Sequence, residues 1–359
     1  FISERTHERL KRSQIEENDI LFSMAGMFLG KTGIATAEVV PANTNQAVAI
    51  IRVDDTKANY EYVYYYLNQK SVIHTINTTS AQSAQPNINL KQIGEIKINL
   101  PDRKKQDQIV SLLSAIDLKI SNNVEINDNL EQQAAALFSS LYNRSNTEVR
   151  YTDLIQILGG GTPKTGETAY WNGNIAFFTP KDVGTPYTFI TEKTITEEGL
   201  SHCNSRLYPV NTVFVTARGT VGKVGLSGVP MAMNQSCYAL VGKETHQLLV
   251  YFYTLKAVDR LKHKASGAVF DAITTRDFDS EQIMKLSDDD AKAFLCVAEP
   301  MFQEILNNSI ENLRLSTLRD FLLPKLMSSE IDGSSVQLYA ANLSFMISIT
   351  YFIIRKDAS

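Results

Sequence analysis

Two stretches of this chain space their seam positions alternately four and three residues apart. The first runs Ile116, Ile120, Asn123, Asn127, Leu130, Ala134, Leu137, Leu141, and adding 185 gives Met301, Ile305, Asn308, Asn312, Leu315, Arg319, Leu322, Leu326. That is a heptad seam. It predicts one long helix from just after Pro101 to about Tyr142 and another from about Asp290 to Met327. Each would hold roughly 35 residues and extend about 50 Å, enough to keep two globular parts well apart. Asparagine at a buried seam costs stability and sets register. A pair of them at equivalent positions favours the two helices packing on each other over each packing on its own domain.

The stretches before these helices also repeat. FISER (1–5) matches FITEK (189–193), and ENDILFSMAGMFLGKTGIA (17–35) matches PVNTVFVTARGTVGKVGLS (209–227). Asn45-Gln46 in NTNQAVAII answers Asn234-Gln235 in MAMNQSCYAL, and the apolar, helix-like YVYYYLNQ (62–69) answers LVYFYTLK (249–256). Four matches in one order make the chain an internal repeat: globular part, long helix, globular part, long helix.

Composition adds exclusions. A length of 359 residues suits two or three domains, and 43% hydrophobic with 21% charged residues lets each half bury a core. The formal charge of −4 supplies no general attraction to nucleic acid, so DNA binding would need local basic surface or a helper subunit. Cys203, Cys237 and Cys296 form no CxxC, and their odd number fits a reducing cytosol, hence a cytoplasmic protein. The five histidines make neither HxxxH nor HExxH, so no metal site is expected, and His202 beside Cys203 reads as a surface turn. The apolar run 343–354 is too short to span a membrane, which needs about 20 residues.

Ala25 followed by Gly30-Lys31-Thr32 fits the loose phosphate-loop pattern and would make Lys31 a phosphate-gripping residue in an NTP-binding enzyme. Such a loop must open into a helix. The next stretch of chain, TGIATAEVVPANTN, holds β-branched residues and Pro41, and reads as a second strand of a hairpin. Val224 replaces Thr32 in the other copy, where magnesium would need a hydroxyl. In LGGGTPKTGE, Glu167 stands where lysine is required. A glycine turn with cations has two other readings. Lys31, Lys223 and Arg218 suit contact with DNA phosphate or, for Arg218, bidentate reading of guanine; alternatively the glycines only serve a tight turn.

The second half carries Gly160-Gly161-Thr162-Pro163, Trp171-Asn172-Gly173, Ile175 through Thr179-Pro180-Lys181-Asp182, the turn from Val213 to Lys223, and Asn234-Gln235. The first half carries Leu100-Pro101 with Gln106 ahead of a long helix. In these motifs the chain resembles the specificity subunits of type I restriction-modification systems, over roughly residues 1–330. The resemblance implies a mixed α/β (α+β) chain of two tandem target-recognition domains, each followed by a spacer helix, the two helices pairing as an antiparallel coiled coil. The domains would be 1–100, helix 101–145, 146–288 and helix 289–330, with a tail, 331–359, that matches nothing. The first domain lacks everything equivalent to about 151–188 and so reads as truncated at its N-terminal side. The second helix lacks the Leu-Pro…Gln start, which would alter its surface for partner subunits.

On this resemblance the chain performs no chemistry and binds no cofactor or metal. Each domain would read one half of a split double-stranded DNA target, with the helices setting the spacer. Methyltransferase (M) subunits would carry S-adenosylmethionine, and a restriction (R) subunit ATP and magnesium. No methyltransferase glycine motif or Asn-Pro-Pro-Tyr-like tetrad occurs in the chain. A crippled first domain could instead leave two copies to pair and read a palindrome. Thr162, Lys164, Lys181, Arg218 and Lys223 are the candidate DNA contacts, with Lys31 the first-domain counterpart of Lys223. Trp171 is expected to pack. Asn234 and Gln235 recur in both domains, where base-reading residues should differ, and so are expected to satisfy buried backbone. The cluster Arg5, Arg9, Lys11, Arg12 either touches phosphate or is a solvated helix face. Ile120, Asn123, Asn127, Leu130 and Leu137 would pair with Ile305, Asn308, Asn312, Leu315 and Leu322. A coiled-coil protein without DNA preference is the remaining alternative class.

Overall fold

A computed structural model describes residues 2–80, 87–184, 186–264 and 272–331. The apolar run 343–354, nearly all of the tail 331–359 and the Phe1–Phe189 match lie outside these residues. The chain divides into two compact units, residues 1–122 with 311–359, and residues 123–310.

In the first unit, α1 (Glu4–Arg9) precedes five short strands: β1 (Gln14–Ile15), β2 (Ile20–Ser23), β3 (Thr32–Ile34), β4 (Ala42–Asn43) and β5 (Val48–Ile51). They form a β3-β2-β5 sheet and a β1-β4 pair. Helices α2 (Tyr60–Leu67), α3 (Lys70–Ser80) and α4 (Leu90–Gly94) come next. Asn59 starts α2 by accepting hydrogen bonds from the backbone N–H groups of Glu61 and Tyr62. The long α5 (Arg103–Arg144) then begins. Its opening explains the Leu-Pro…Gln motif: buried Gln106 donates to Pro101 O (2.8 Å) and accepts from Asn59 N–H (2.9 Å), tying the helix start to α2.

The second unit opens with β6 (Thr147–Arg150), α6 (Tyr151–Leu154), β7 (Ile155–Gly159) and β8 (Trp171–Phe178). It continues through β9 (Tyr187–Thr188), β10 (Lys193–Ile195), α7 (Glu197–Ser201), β11 (Val213–Thr216), β12 (Val224–Ser227), β13 (Met231–Met233) and β14 (Cys237–Gly242). Then come α8 (Gln247–Lys264), α9 (Thr275–Asp279), β15 (Gln282–Lys285) and the long α10 (Asp288–Met327). The central sheet runs β7-β14-β11-β12-β9, beside a β10-β8-β13 sheet and a β15-β6 pair. Ten side chains of α8 are buried, and nine of them fill the main core. In place of the missing Leu-Pro…Gln, Leu286 N–H donates to Tyr253 Oη (2.9 Å) and Ser287 Oγ accepts from Asp290 N–H.

Helices α5 and α10 run antiparallel and pack together. In the second unit Arg144 meets Asp290 (2.5 Å) and Asn308 Nδ2 donates to Asn127 Oδ1 (3.0 Å). Leu130 and Leu137 are half-buried against the core that holds fully buried Ile305, and Asn123 is buried. Phe138, one residue off the predicted seam, is the anchor: it stacks on Phe252 at 5.1 Å and meets Phe294 edge-on at 5.5 Å. In the first unit Asn312 donates to Ile120 O (3.4 Å), and Leu315 and Leu322 are buried beside Ile120. Asp117 there accepts from Arg319 and from Tyr65, each at 2.7 Å.

The repeat is deeper than residue matching indicates, and its register differs. Asn18 and Asn211 share a left-handed φ of 69°, which places β2 against β11 at an offset of 193, not 192. Met24 and Ala217 then occupy equivalent places, each giving its N–H to the loop after Asn-Gln (Ala47 O and Ser236 O, 2.8 Å). Gly26 matches Gly219 and Gly30 matches Gly222, all with φ between 73° and 81°. The second turn is thus one residue shorter, and Lys31 still meets Lys223. Beyond the helices, Ile88 and Ile273 donate to Met24 O and Ala217 O at 2.9 Å, and both precede a capping box, Asn89 with Gln92 and Thr274 with Asp277.

Among the described residues no helix is long and apolar enough to cross a membrane, and no three His, Cys, Asp or Glu side chains cluster as a metal site.

Candidate nucleic-acid interface

Lys31 settles the phosphate-loop question. The residue after it starts β3, which pairs antiparallel with β2, so the turn closes a hairpin instead of opening into a helix. Thr32, which would have to hold magnesium, accepts a 2.6 Å hydrogen bond from Asn68 Nδ2. Lys31 itself is exposed and lies over the Phe28 ring at 4.7 Å.

In the second unit the motif residues gather through backbone contacts rather than through their charges. The Gly160-Gly161 turn is pressed onto the Asn-Gln loop: a Cβ on Gly160 would fall 2.2 Å from Asn234 O, and Gly161 N–H donates to Met233 O (3.1 Å). That contact needs glycine. Thr162 Oγ1 then donates to Gln235 Oε1 in a short hydrogen bond. Asn234 closes a tight turn by accepting Ser236 N–H (3.0 Å), and Asn45 does the same with Ala47 N–H (2.9 Å) in the first unit. The asparagine of each pair therefore serves the backbone, while Gln235 and Gln46 stand exposed.

Ser236 O receives the N–H groups of Ala217 and Arg218, joining the Asn-Gln loop to the second glycine turn. That turn rests on the Thr179–Asp182 loop, where Thr220 Oγ1 donates to Pro180 O (3.1 Å). Asp182 caps its own loop by accepting from Thr179 N–H and Glu192 N–H. Trp171 packs edge-on against Phe177 at 5.5 Å and donates its indole N–H to Lys164 O (3.1 Å), holding the Lys164 loop. Asn172 takes a φ of 61°, and Gly173 presses against Ile195 O, where a Cβ would fall at 2.6 Å. Thus Thr162, Lys181 and the pair Arg218 and Lys223 sit on three loops tied together by hydrogen bonds and by the Asn-Gln loop, and Lys164 lies two residues beyond Thr162.

The electrostatics of these cations differ. Lys164, Arg218 and Lys223 are exposed, and among the described residues none has a carboxylate within bridging distance. Lys181 faces Glu192 at 3.5 Å, both exposed, a pair that water screens to little effect. Lys262 escapes residue-pattern reading: its Nζ donates to Gly222 O (2.7 Å) and props the turn from α8. Arg260 and Lys264 on that helix are committed to fully buried Glu281, Arg260 Nε lying 2.8 Å from Oε1 but poorly aligned for a hydrogen bond. Burial pushes the Cys237 thiol, under the Asn-Gln loop, up to about 12, with Asp182 adding to the shift, so it is not a nucleophile. The loop cluster has the makings of a polyanion-binding surface.

Lys31 occupies the place of Lys223 in the first unit, and that unit has no described counterpart of the Gly-Gly-Thr-Pro or Pro-Lys-Asp loops. Arg5, Arg9, Lys11 and Arg12 are exposed, and Asn43 clamps their segment by donating to Leu10 O (3.2 Å) and Ser13 Oγ (2.9 Å).

Comparison with known proteins gives these motifs a context. The family model for the type I restriction modification DNA specificity domain matches twice, over residues 2–132 and 143–285. The HindI type I restriction enzyme specificity subunit of Haemophilus influenzae is 23% identical, over 76% of this chain and 77% of that one. The EcoR124I/EcoR124II specificity subunit of Escherichia coli is 27% identical over 59% of this chain, which spans 54% of the relative. The crystal structure of the type I restriction-modification S subunit from M. genitalium shares the fold, with a TM-score of 0.54, 16% identity, and coverage of 88% of this chain and 84% of that one. With two specificity-domain matches covering most of its length, the chain belongs to the type I restriction-modification DNA specificity family, the non-catalytic DNA-recognition subunits of these systems.

Proposed function

We propose that the chain is the subunit that selects a bipartite DNA target for partner methyltransferase subunits, and for a restriction subunit joined to them. The observation that carries this reading is the cluster of loops bearing Thr162, Lys164, Lys181, Arg218 and Lys223, where three of the cations have no bridging carboxylate among the described residues. Phosphate contact positions a duplex and base edges specify it. Lys164 and Lys223, point charges on long stems, suit phosphate; Arg218, beside Gln235, suits a base edge in the major groove. The antiparallel helices α5 and α10 set the spacing between half-sites, each helix being about 60 Å long, close to two DNA turns of about 34 Å. S-adenosylmethionine and ATP with magnesium belong to the partners. The recurrence of Lys223 as Lys31 supports a phosphate contact by the first module as well.

Fluorescence titration of a target duplex with the chain bound to its methyltransferase partners tests this. Lys223→Ala should weaken binding to all sequences and reduce the slope of log K against log salt by about 0.9. Arg218→Ala should cost about 1–3 kcal/mol on the cognate duplex and relax preference at one position. Unchanged affinity and slope in both variants would remove the loop cluster from the interface.

A further inference from the structure

The end of α8 carries three cations two residues apart, Arg260, Lys262 and Lys264. Residues four apart share a helix face, and the one between them lies on the opposite side. Arg260 and Lys264 accordingly converge on fully buried Glu281, with Arg260 Nε 2.8 Å from its Oε1. Lys262 turns the other way and reaches the second glycine turn, where its Nζ donates to Gly222 O (2.7 Å). It is exposed, and among the described residues no carboxylate lies within bridging distance of it. Asp259, nearly one turn back, faces His263 instead at 3.6 Å.

The first unit shows that this turn does not require a lysine. Gly30 and Gly222 are equivalent, with φ of 80° and 74°, and each leaves its Cβ position to the helix beneath. At Gly30 that position faces the Cγ2 methyls of Ile76 and Ile73 on α3, at 3.8 and 3.9 Å. At Gly222 it faces Lys262 Cε at 2.5 Å and Val258 Cγ1 at 3.1 Å, so the lysine stem lies against the bare glycine. The hairpins closed by the two turns keep one register, Phe22↔Thr32 and Ile20↔Ile34 answering Val215↔Val224 and Val213↔Leu226. An apolar seat therefore suffices for the fold. The lysine adds a charge that the turn does not need.

We propose that Lys262 is a further DNA-phosphate contact of the second module, held by Gly222 O and acting beside Lys223, the next residue of the turn. The inference rests on the reading of the loop cluster as the DNA-facing surface. An ammonium has three donors; one goes to Gly222 O, and two are left for phosphate oxygens. The carbonyl positions the ammonium without cancelling its charge, whereas Glu281 offsets the charges of Arg260 and Lys264. The stem is already ordered against Gly222, so little freedom is lost when a phosphate arrives. The first module offers isoleucine at the corresponding seat. The second half-site is thus gripped by one more phosphate contact than the first at this turn.

The test measures duplex binding by the full chain with its methyltransferase partners across a range of salt. Lys262→Ile installs the seat that the first unit uses, and Lys262→Arg keeps the charge. Lys262→Ile should reduce the slope of log K against log salt by about 0.9, the share of one phosphate contact, while Lys262→Arg keeps the wild-type slope. A uniform loss of affinity at every salt, with the slope unchanged, would make Lys262 a structural prop and overturn the proposal. So would an unchanged slope in Lys262→Ile when Lys223→Ala lowers it, a result that leaves the loop-cluster reading standing. Unchanged slopes in both variants would overturn that reading and this inference together.

Discussion

Gly160 shapes the loop cluster without presenting any side-chain group of its own. Its missing side chain lets one loop close onto Asn234 O, which sets where Thr162 and Gln235 stand. Gly160→Ala should cost about 1–3 kcal/mol through overpacking against rigid backbone, read as a lowered urea midpoint; a neutral substitution would mean the loops are not held as described. Glu131 offers a second test. Burial raises its carboxyl above the ordinary carboxylate range, with Asp128 adding and the 2.8 Å hydrogen bond from Tyr251 opposing. A raised acid means the folded state favours the protonated form. Its contribution is fully present below the unfolded pKa and is lost as pH rises through the folded one. Glu131→Gln keeps an acceptor for Tyr251, so it should melt no lower than wild type at neutral pH, with any gain vanishing in acid. A loss at neutral pH would show that the charge is net stabilising. The motif glycines were legible as motifs; that they serve backbone contacts was not, because Asn234 and Gly160 meet only in three dimensions.

Among the elements, the long helices were the most legible, since a seven-residue repeat sustained over many turns has few other solutions. The Asn pair was visible as well, and its geometry matters for stability. Asn308 fills the acceptor of buried Asn127, so Asn308→Ala should destabilise by about 1–3 kcal/mol, leaving a buried polar group unsatisfied. Replacing both with leucine should cost less than the single change, or even stabilise, in denaturant unfolding. Equal losses in the two variants would contradict the pairing. Phe138 was missed because it flanks the seam, and its reason to be buried is α8, distant in sequence. The equivalence of Met24 with Ala217 was hidden for another cause: Ala25 and Ala217 look alike in sequence, whereas the backbone hydrogen bonds match Met24 with Ala217. The repeated capping boxes were hidden by chemistry that differs, Asn with Gln in one and Thr with Asp in the other.

For the whole molecule, two modules built on one plan and two antiparallel helices suit a protein that reads DNA in two places. The repeat alone could be read from residues, and so could the family. The loop cluster could not, because Gly-Gly-Thr-Pro, Pro-Lys-Asp, the glycine turn and Asn-Gln span more than seventy residues and meet only on folding. The most direct measurement is adenine-methylation mapping by long-read sequencing, in cells carrying the partner methyltransferase with and without this chain. The account predicts a split, asymmetric motif that appears only with the chain and loses preference at one position in the Arg218→Ala variant. Methylation that is indifferent to the chain would contradict it.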